Sequence, residues 1–285
     1  MPSPLRAAFE RFRRHRLAMI GVAVIAFVSL ISIAAPAIAP YDPVAIDLSA
    51  SRQPPSQAHL FGTDLTGRDV LSRLIYGGQV SLTVGLSAAL LSTLIGLVLG
   101  LVAGYFRGWA DSVVMRLTEI ILSYPLLVMI IVLAAVIGPG VGSIVLGVGL
   151  FGWPTTCRIV RGQTLSLREQ DFVMAARSLG ATHVRVISRH LIPLVLAPLT
   201  VTATFGVAYA VLLEAALSFL GLGIRPPQPS WGNMLSAAQS ILILESMPWL
   251  WSLPGIAIGV TVLAVNFIGD GLRDALDPRQ QIAGA

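Results

Sequence analysis

The 285-residue chain has no lysine, one cysteine and four histidines, and each shortage removes a class of chemistry. A P-loop needs a lysine on the nucleotide phosphates, and a Schiff-base nucleophile needs one too. The chain therefore does not hydrolyse ATP through a P-loop of its own. A lone Cys157 makes neither an internal disulfide nor a zinc site. His15, His59, His183 and His190 are scattered, three of them in or beside arginine-rich polar segments, and are expected at solvated surface. No catalytic, cofactor-binding or metal-ligating set is expected. Charge is scarce as well: 12% of residues are charged and 55% hydrophobic, where a soluble domain carries about 25% charged residues. That composition is an integral membrane protein's, all-α, and no nucleic-acid partner is expected.

What is present is a series of apolar runs. Five arginines (Arg6, Arg11, Arg13, Arg14 and Arg16) precede an apolar run over 17–39. The run is longer than the roughly 7–15 residues of a signal-peptide core and matches the roughly 20 residues of a span. The basic flank predicts a cytoplasmic N-terminus. Residues 40–79 contain no apolar window long enough to cross, and Asp64, Arg68, Asp69 and Arg73 are expected there as a solvated, salt-bridged loop. A second span is expected over 80–104, where Gly96, Gly100 and Gly104 repeat every four residues and admit a closely packed neighbour. A third covers 112–137, with Arg116 and Glu119 near its start and a bend at Tyr124-Pro125. A fourth covers 143–159, with Trp153-Pro154 near its inner end, and a fifth covers 191–213.

Glu214 follows, expected either as a paired carboxylate at the outer surface or as part of a translocation path. Gly221, Gly223 and Pro226-Pro227 then fold the chain back at the membrane surface. Trp231, Trp249 and Trp251 are expected in the outer aromatic belt. The sixth span, 250–268, carries a Gly255/Gly259 pair read as close packing. With six spans and both termini inside, 15 of the 19 arginines lie on the cytoplasmic side and 4 outside, a strong positive-inside bias.

The longest polar interruption of the second half, 166–193, falls on that cytoplasmic side. Ser166 and Glu169 have capping-box spacing and predict a helix beginning at Ser166. Gly180 suits its left-handed end. Phe172, Ala176 and Leu179 make one narrow apolar face, and Thr182 can cap a second helix leading into the fifth span. A short helix wired to a span in this way can receive a push from a soluble partner.

Within this stretch, Ala175-Ala176, three residues, Gly180 and then Pro193 resembles the EAA loop of bacterial ABC-importer permeases. Met174 stands at the place of the motif glutamate, and His190 where that loop usually has an apolar residue. Three further stretches are similar to the oligopeptide/dipeptide/nickel branch of those permeases. They are FGTDLTGRDVLSRLIYGG (61–78), LLEAALSFLGLGIRPPQPSWGNML (212–235) and NFIGDGLRDALDPR (266–279).

The resemblance covers nearly the whole chain. It implies six transmembrane helices in a type I importer permease fold with a cytoplasmic coupling helix. It implies a permease core over 80–270, preceded by a basic segment, first span and external loop (1–79) and followed by a cytoplasmic tail (271–285). The expected role is the permease subunit of an ATP-driven, binding-protein-dependent importer in a bacterial inner membrane. Its solute is expected to be di- or oligopeptides, with nickel or another small solute as the alternative. The implied partners are a sister permease, two ATPase subunits that bind the ATP, an extracytoplasmic solute-binding protein and the bilayer. Phe172, Ala175, Ala176, Leu179, Gly180 and Pro193 are the expected ATPase-coupling residues. A self-sufficient secondary transporter or channel would want internal repeats or mid-span ionisable groups. A membrane enzyme would want a mid-span catalytic set. Neither is found.

Overall fold

A computed structural model describes residues 4–276, among which the regular backbone is helical. Residues 277–279, and with them most of the expected 271–285 tail, lie outside the described residues. α1 (Pro4–Arg14) leads into α2 (Arg16–Ile33) and a short α3 (Ala35–Ile38). His15, expected at solvated surface, caps α2 instead: its Nδ1 accepts from the Ala18 amide at 3.1 Å, and its Nε2 lies 3.5 Å from Asp274.

The segment 40–69, expected to be external, is tied down by buried charge rather than solvated. Asp64 accepts from the Thr66 amide and hydroxyl, both at 2.8 Å, and from Arg68 Nε at 2.7 Å, and it lies 3.7 Å from Arg73 Nε. Arg73 also donates to the Pro43 carbonyl at 3.0 Å. Asp69 holds His59 at 2.9 Å with one oxygen and the Ser72 amide and hydroxyl with the other. Asp69 and Arg73 are both buried. The expected ion pairing is present, but it is enclosed because the segment folds back onto the start of α4 and onto Trp249.

Asp69 is the N-cap of α4 (Val70–Phe106), so residues 70–78, read as loop, form its first turns. At 1.5 Å per residue, α4 is about 55 Å long, well beyond the roughly 30 Å hydrocarbon core. α5 (Gly108–Leu122) and α6 (Leu126–Ile137) occupy the expected third span but meet at 86° across Ser123–Pro125, a break rather than a mild bend. Gly138 and Gly140 take left-handed φ values in the turn to α7 (Val141–Phe151). α8 (Pro154–Leu167) continues from α7 past the Trp153-Pro154 interruption. α9 (Asp171–Ser178) and α10 (His183–Val186) follow, then a π turn over Ile187–Leu191 and α11 (Ile192–Phe219). α12 (Trp231–Leu235), α13 (Ile241–Ser246) and α14 (Trp249–Leu276) complete the order. Among the described residues, five helical stretches are long and apolar enough to cross a membrane, and the bent α5–α6 pair, counted as one span, makes six.

The glycine repeat of α4 packs against α8 one turn at a time. A Cβ on Gly96, Gly100 or Gly104 would lie 2.7, 2.6 and 2.7 Å from the Cβ of Thr156, Val160 and Thr164 respectively. Only hydrogen at these three positions lets the β-branched ridge of α8 reach the α4 backbone. The Gly255/Gly259 pair does not do the same. A Cβ at Gly259 would meet nothing within 4 Å, and one at Gly255 only Leu235 at 3.9 Å. Trp231 is likewise core rather than belt: it is buried, and its indole N–H donates to the Leu74 carbonyl at 3.0 Å. The capping box of Ser230 and Asn233 turns it inward.

Gly100→Leu is expected to cost about 1–3 kcal/mol through overpacking and to lower the Tm of the detergent-solubilised protein, whereas Gly259→Leu should leave it near that of the unsubstituted chain. The external segment should respond to acid. Burial is the largest influence on Asp64 and pushes its carboxyl up. The bonds from Thr66 and Arg68 outweigh it and hold the group below its ordinary value. A folded-state value below the unfolded one means stability that is present above the unfolded carboxylate range and is lost as pH falls through the folded value. Below about pH 4, limited proteolysis within 40–69 should accelerate, and an Asp64→Asn variant should show a weaker acid dependence.

Candidate functional site

The polar stretch after the fourth span is built from three short pieces. α8 does not stop at the end of the expected fourth span. Its ladder carries on through Ser166 (Arg168 N–H to Thr164 O, 3.0 Å), which leaves Ser166 inside the last turn. The capping box expected at Ser166 and Glu169 is therefore not formed. Glu169 pairs with Arg168 at 3.2 Å and Arg107 at 3.5 Å, and α9 begins at Asp171. Gly180 closes α9 at φ 80°. The Gly180 amide bonds Arg177 O at 2.9 Å and the Ala181 amide bonds Ala176 O at 3.0 Å, the two bonds of a Schellman turn. Thr182 caps α10 by accepting from the Arg185 amide. The π turn then widens the helix just before Pro193, with Ile192 N–H reaching back to Ile187 O. Pro193 offers no N–H and crowds the carbonyl four residues earlier, and the wider turn accommodates it.

The apolar positions of α9 divide differently from the predicted single face. Val173 is the buried one, packed with Leu101, Tyr105, Val186 and Leu191. Phe172 (43% exposed), Met174 (47%) and Leu179 (89%) point outward with Ala175, and Ala176 is half-buried beneath them. Pro193 is exposed.

What anchors the stretch is Tyr105, near the end of α4 and only 2% exposed. Its hydroxyl is 2.8 Å from His183 Nδ1, its ring lies under the Arg177 guanidinium at 4.8 Å, and its carbonyl accepts from Arg168 Nη1 at 2.6 Å. His183 is exposed, as expected, and is also part of the anchor. Nothing in the sequence links positions 105 and 183. The one visible signal is an aromatic pair, Tyr105-Phe106, at the end of a span, with His183 near the start of another. Arg161 adds a two-pronged ion pair with Asp111, at 2.5 and 2.7 Å, which ties α8 to α5.

A cavity of about 380 Å³ lies among α4, the α5–α6 break, the α7–α8 break and α11. Its polar lining is hydroxyl and aromatic, from Ser92, Thr93, Tyr124, Thr156, Thr202 and Tyr209, and none of its lining side chains is ionisable as acid, guanidinium or imidazole. Glu214 is elsewhere. It is fully buried in α11 and accepts from Ser81 Oγ and Ser218 Oγ, both at 2.8 Å. Those hydroxyls in turn accept from the amides of Trp231 and Ile224. Glu214 thus fastens the fold-back after Gly221 to α4 and α11, and it is not among the residues lining that cavity.

Residues 96–282 match the family described as binding-protein-dependent transport system inner membrane component. Residues 3–55 match the N-terminal TM domain of oligopeptide transport permease C. A protein of Brucella suis biovar 1 (strain 1330), named as a candidate peptide permease, is 44% identical over 98% of this chain and 92% of its own length. The dipeptide transport system permease protein DppC of Alkalihalophilus pseudofirmus is 40% identical over 98% and 91%. Among solved structures, an inward-facing MetNI methionine ABC transporter superposes with a TM-score of 0.58. It shares 20% identity, over 73% of this chain and 97% of that one, a likeness of fold.

Glu214→Ala should leave two buried hydroxyls without their acceptor, at a cost of about 1–3 kcal/mol each way the network fails to repair itself. A lowered Tm in detergent is expected, with Glu214→Gln, which keeps an acceptor oxygen, closer to the unsubstituted protein. Equal Tm values for all three would remove Glu214 from any pinning role.

Proposed function

Because the chain belongs to the family of binding-protein-dependent transport system inner membrane components, we propose that it forms half of the passage of an ATP-driven importer for di- and oligopeptides. The names of its relatives support peptide as the solute. So does the 380 Å³ cavity: it offers hydroxyls and aromatic rings but no carboxylate or imidazole with which to hold a divalent ion. The other half of the passage is a sister permease. The arginine bias supports both termini and α9 lying in the cytoplasm, facing two ATPase subunits, with an extracytoplasmic receptor delivering the solute on the far side. This chain carries no catalytic residue in the scheme, and ATP binds to the partner subunits.

The observation that carries the reading is α9. A short cytoplasmic helix that exposes Phe172, Met174 and Leu179 while burying Val173 presents apolar surface to a partner. Ala175 and Ala176 keep its flank low, so that another backbone can come close. The Schellman turn at Gly180 fixes the angle between α9 and α10, and α10 runs through the π turn and Pro193 into α11. Closure of the ATPase pair on bound ATP moves α9, and that movement reaches the spans as a tilt. Glu214 serves to pin the outer loop, so that the tilt is delivered to the passage and not absorbed outside.

With Cys157 replaced by serine and a cysteine placed at Ala176, a cross-link to a co-expressed ATPase subunit is expected, and its yield should change with nucleotide. Labelling of that cysteine from outside the cell would invert the topology and end this reading. Gly180→Val forces a β-branched residue to φ 80°, and Ala176→Arg adds bulk under the exposed face. Either is expected to insert normally yet lose most uptake while the ATPase keeps turning over. Ordinary uptake by a stably expressed Gly180→Val protein would count against the coupling role.

A further inference from the structure

The corner where α1 meets α2 has two faces of different chemistry, and one of them is committed to α14. A Cβ on Gly271 would lie 2.4 Å from Ala18 Cβ and 3.3 Å from Phe12 Cε2, so both helices rest on the α14 backbone there. Arg11 Nη1 reaches the Ala275 carbonyl at 3.5 Å, and His15 Nε2 lies 3.5 Å from Asp274. A guanidinium on the last carbonyls of a helix also complements its dipole.

The other face is open. Phe9 is 61% exposed, and Arg13, Arg14 and Arg16 are exposed beside it and just after it. The Arg13 guanidinium stands 6.0 Å from the centre of the Phe9 ring. Glu10 is the one acid before Asp42, against five arginines in the first sixteen residues. This face therefore carries a net positive charge around an apolar ring. Leu17 and Ile20, exposed at the start of α2, carry the apolar surface on into the span. A nucleic acid or a free phosphate would meet the arginines and leave Phe9 in water. A bilayer surface meets both, because the ring enters the boundary between headgroups and acyl chains while the guanidiniums reach the phosphates. The arginines already stand at that depth, since the apolar run begins at Leu17, immediately after Arg16.

We infer that α1 is a surface helix that binds the headgroups of anionic phospholipids through Arg13, Arg14 and Arg16, with Phe9 as its apolar anchor. Basic clusters directly beside a span are drawn to such lipids, and guanidinium–phosphate pairs can be two-pronged. Arg11, Phe12 and His15 sit on the last turns of α14, so a lipid-held α1 steadies that end of the helix. There Arg273 and Leu276 line a groove of about 510 Å³ shared with α8 and α11. The charge of the bilayer thereby reaches helices of the permease core, whichever solute the complex carries.

The test titrates the purified full chain, in a neutral detergent, with phosphatidylglycerol or with phosphatidylcholine. Phosphatidylglycerol should raise the Tm and slow amide exchange over 269–276, phosphatidylcholine should do neither, and added salt should weaken both effects. In Arg13→Gln/Arg14→Gln/Arg16→Gln the phosphatidylglycerol concentration for half the Tm shift should rise on the order of a hundredfold, about fivefold for each arginine. Lysine at the same three positions keeps the charge and should keep the response. Glutamine at three exposed arginines elsewhere, Arg158, Arg185 and Arg189, should leave it in place. Equal responses to the two lipids by the unsubstituted chain overturn the inference. A full response in the α1 glutamine variant, or a lysine variant as insensitive as the glutamine one, does so too. An equal loss in the control variant would reduce the effect to overall charge, and the same shift with inorganic phosphate would make the corner a site for free anions; either overturns the lipid assignment. A raised Tm without slower exchange over 269–276 overturns the link to α14.

Discussion

Contact between α4 and α8 at backbone distance is the constraint on which the remainder depends. Gly96, Gly100 and Gly104 let Thr156, Val160 and Thr164 press directly onto α4, and dispersion over such a seam is the main attraction available where lipid tails remove the hydrophobic incentive. From this seam α4 extends in both directions. Toward its N-terminus it carries Ser81, which holds Glu214, and Asp69 at its cap, which holds His59. Toward its C-terminus it carries Tyr105, which holds His183 and Arg177. The same seam sets the cavity, because Thr156 turns its carbon atoms to Gly96 and so has only its hydroxyl to offer elsewhere.

Charge is handled by depth. These ion pairs gather at the ends of the spans: Asp64 with Arg68 and Arg73 just before and in the first turn of α4, and Arg161 with Asp111 and Glu169 with Arg168 near the polar stretch. Glu214 is the acid that α11 encloses, and it is met by two hydroxyls rather than by a cation. A paired cation there would need its own desolvation compensated. Two serines, each already accepting a main-chain amide, satisfy the carboxyl at less expense and draw the outer loop into the same network.

The sequence made the spans, the loop order and the α4 glycine seam legible, because each rests on a period or a length that local composition records. Gly180 and Thr182 were legible for the same reason: a left-handed end and a cap are one-residue decisions. Where the reading failed, the deciding contact was distant. Ser166 satisfies capping-box spacing, yet α8 had no reason to stop, and its continuing ladder absorbed the residue. His183 is a surface histidine, as it reads, but its partner Tyr105, far away in sequence, is not legible. Trp231 reads as belt until Ser230 and Asn233 turn it inward. Gly255 and Gly259 have the spacing of a seam but no helix against them. Spacing shows that a face can accept a neighbour; which neighbour arrives is set by the rest of the chain.

The joints of the molecule are placed unevenly. The polar stretch is joined to the end of α4 at Tyr105 by three short links, from Arg168 at the end of α8, Arg177 of α9 and His183 of α10. Its other connection, through α10 to α11, passes over a π turn and Pro193, where the helical ladder is at its loosest. The ends of α8, α9 and α10 are therefore held at one residue of α4, whereas α10 reaches α11 only through that loosened turn. The cavity lined by Thr156 of α8 and Thr202 of α11 thus has one wall fixed to α4 by the glycine seam and another that reaches the polar stretch across the π turn.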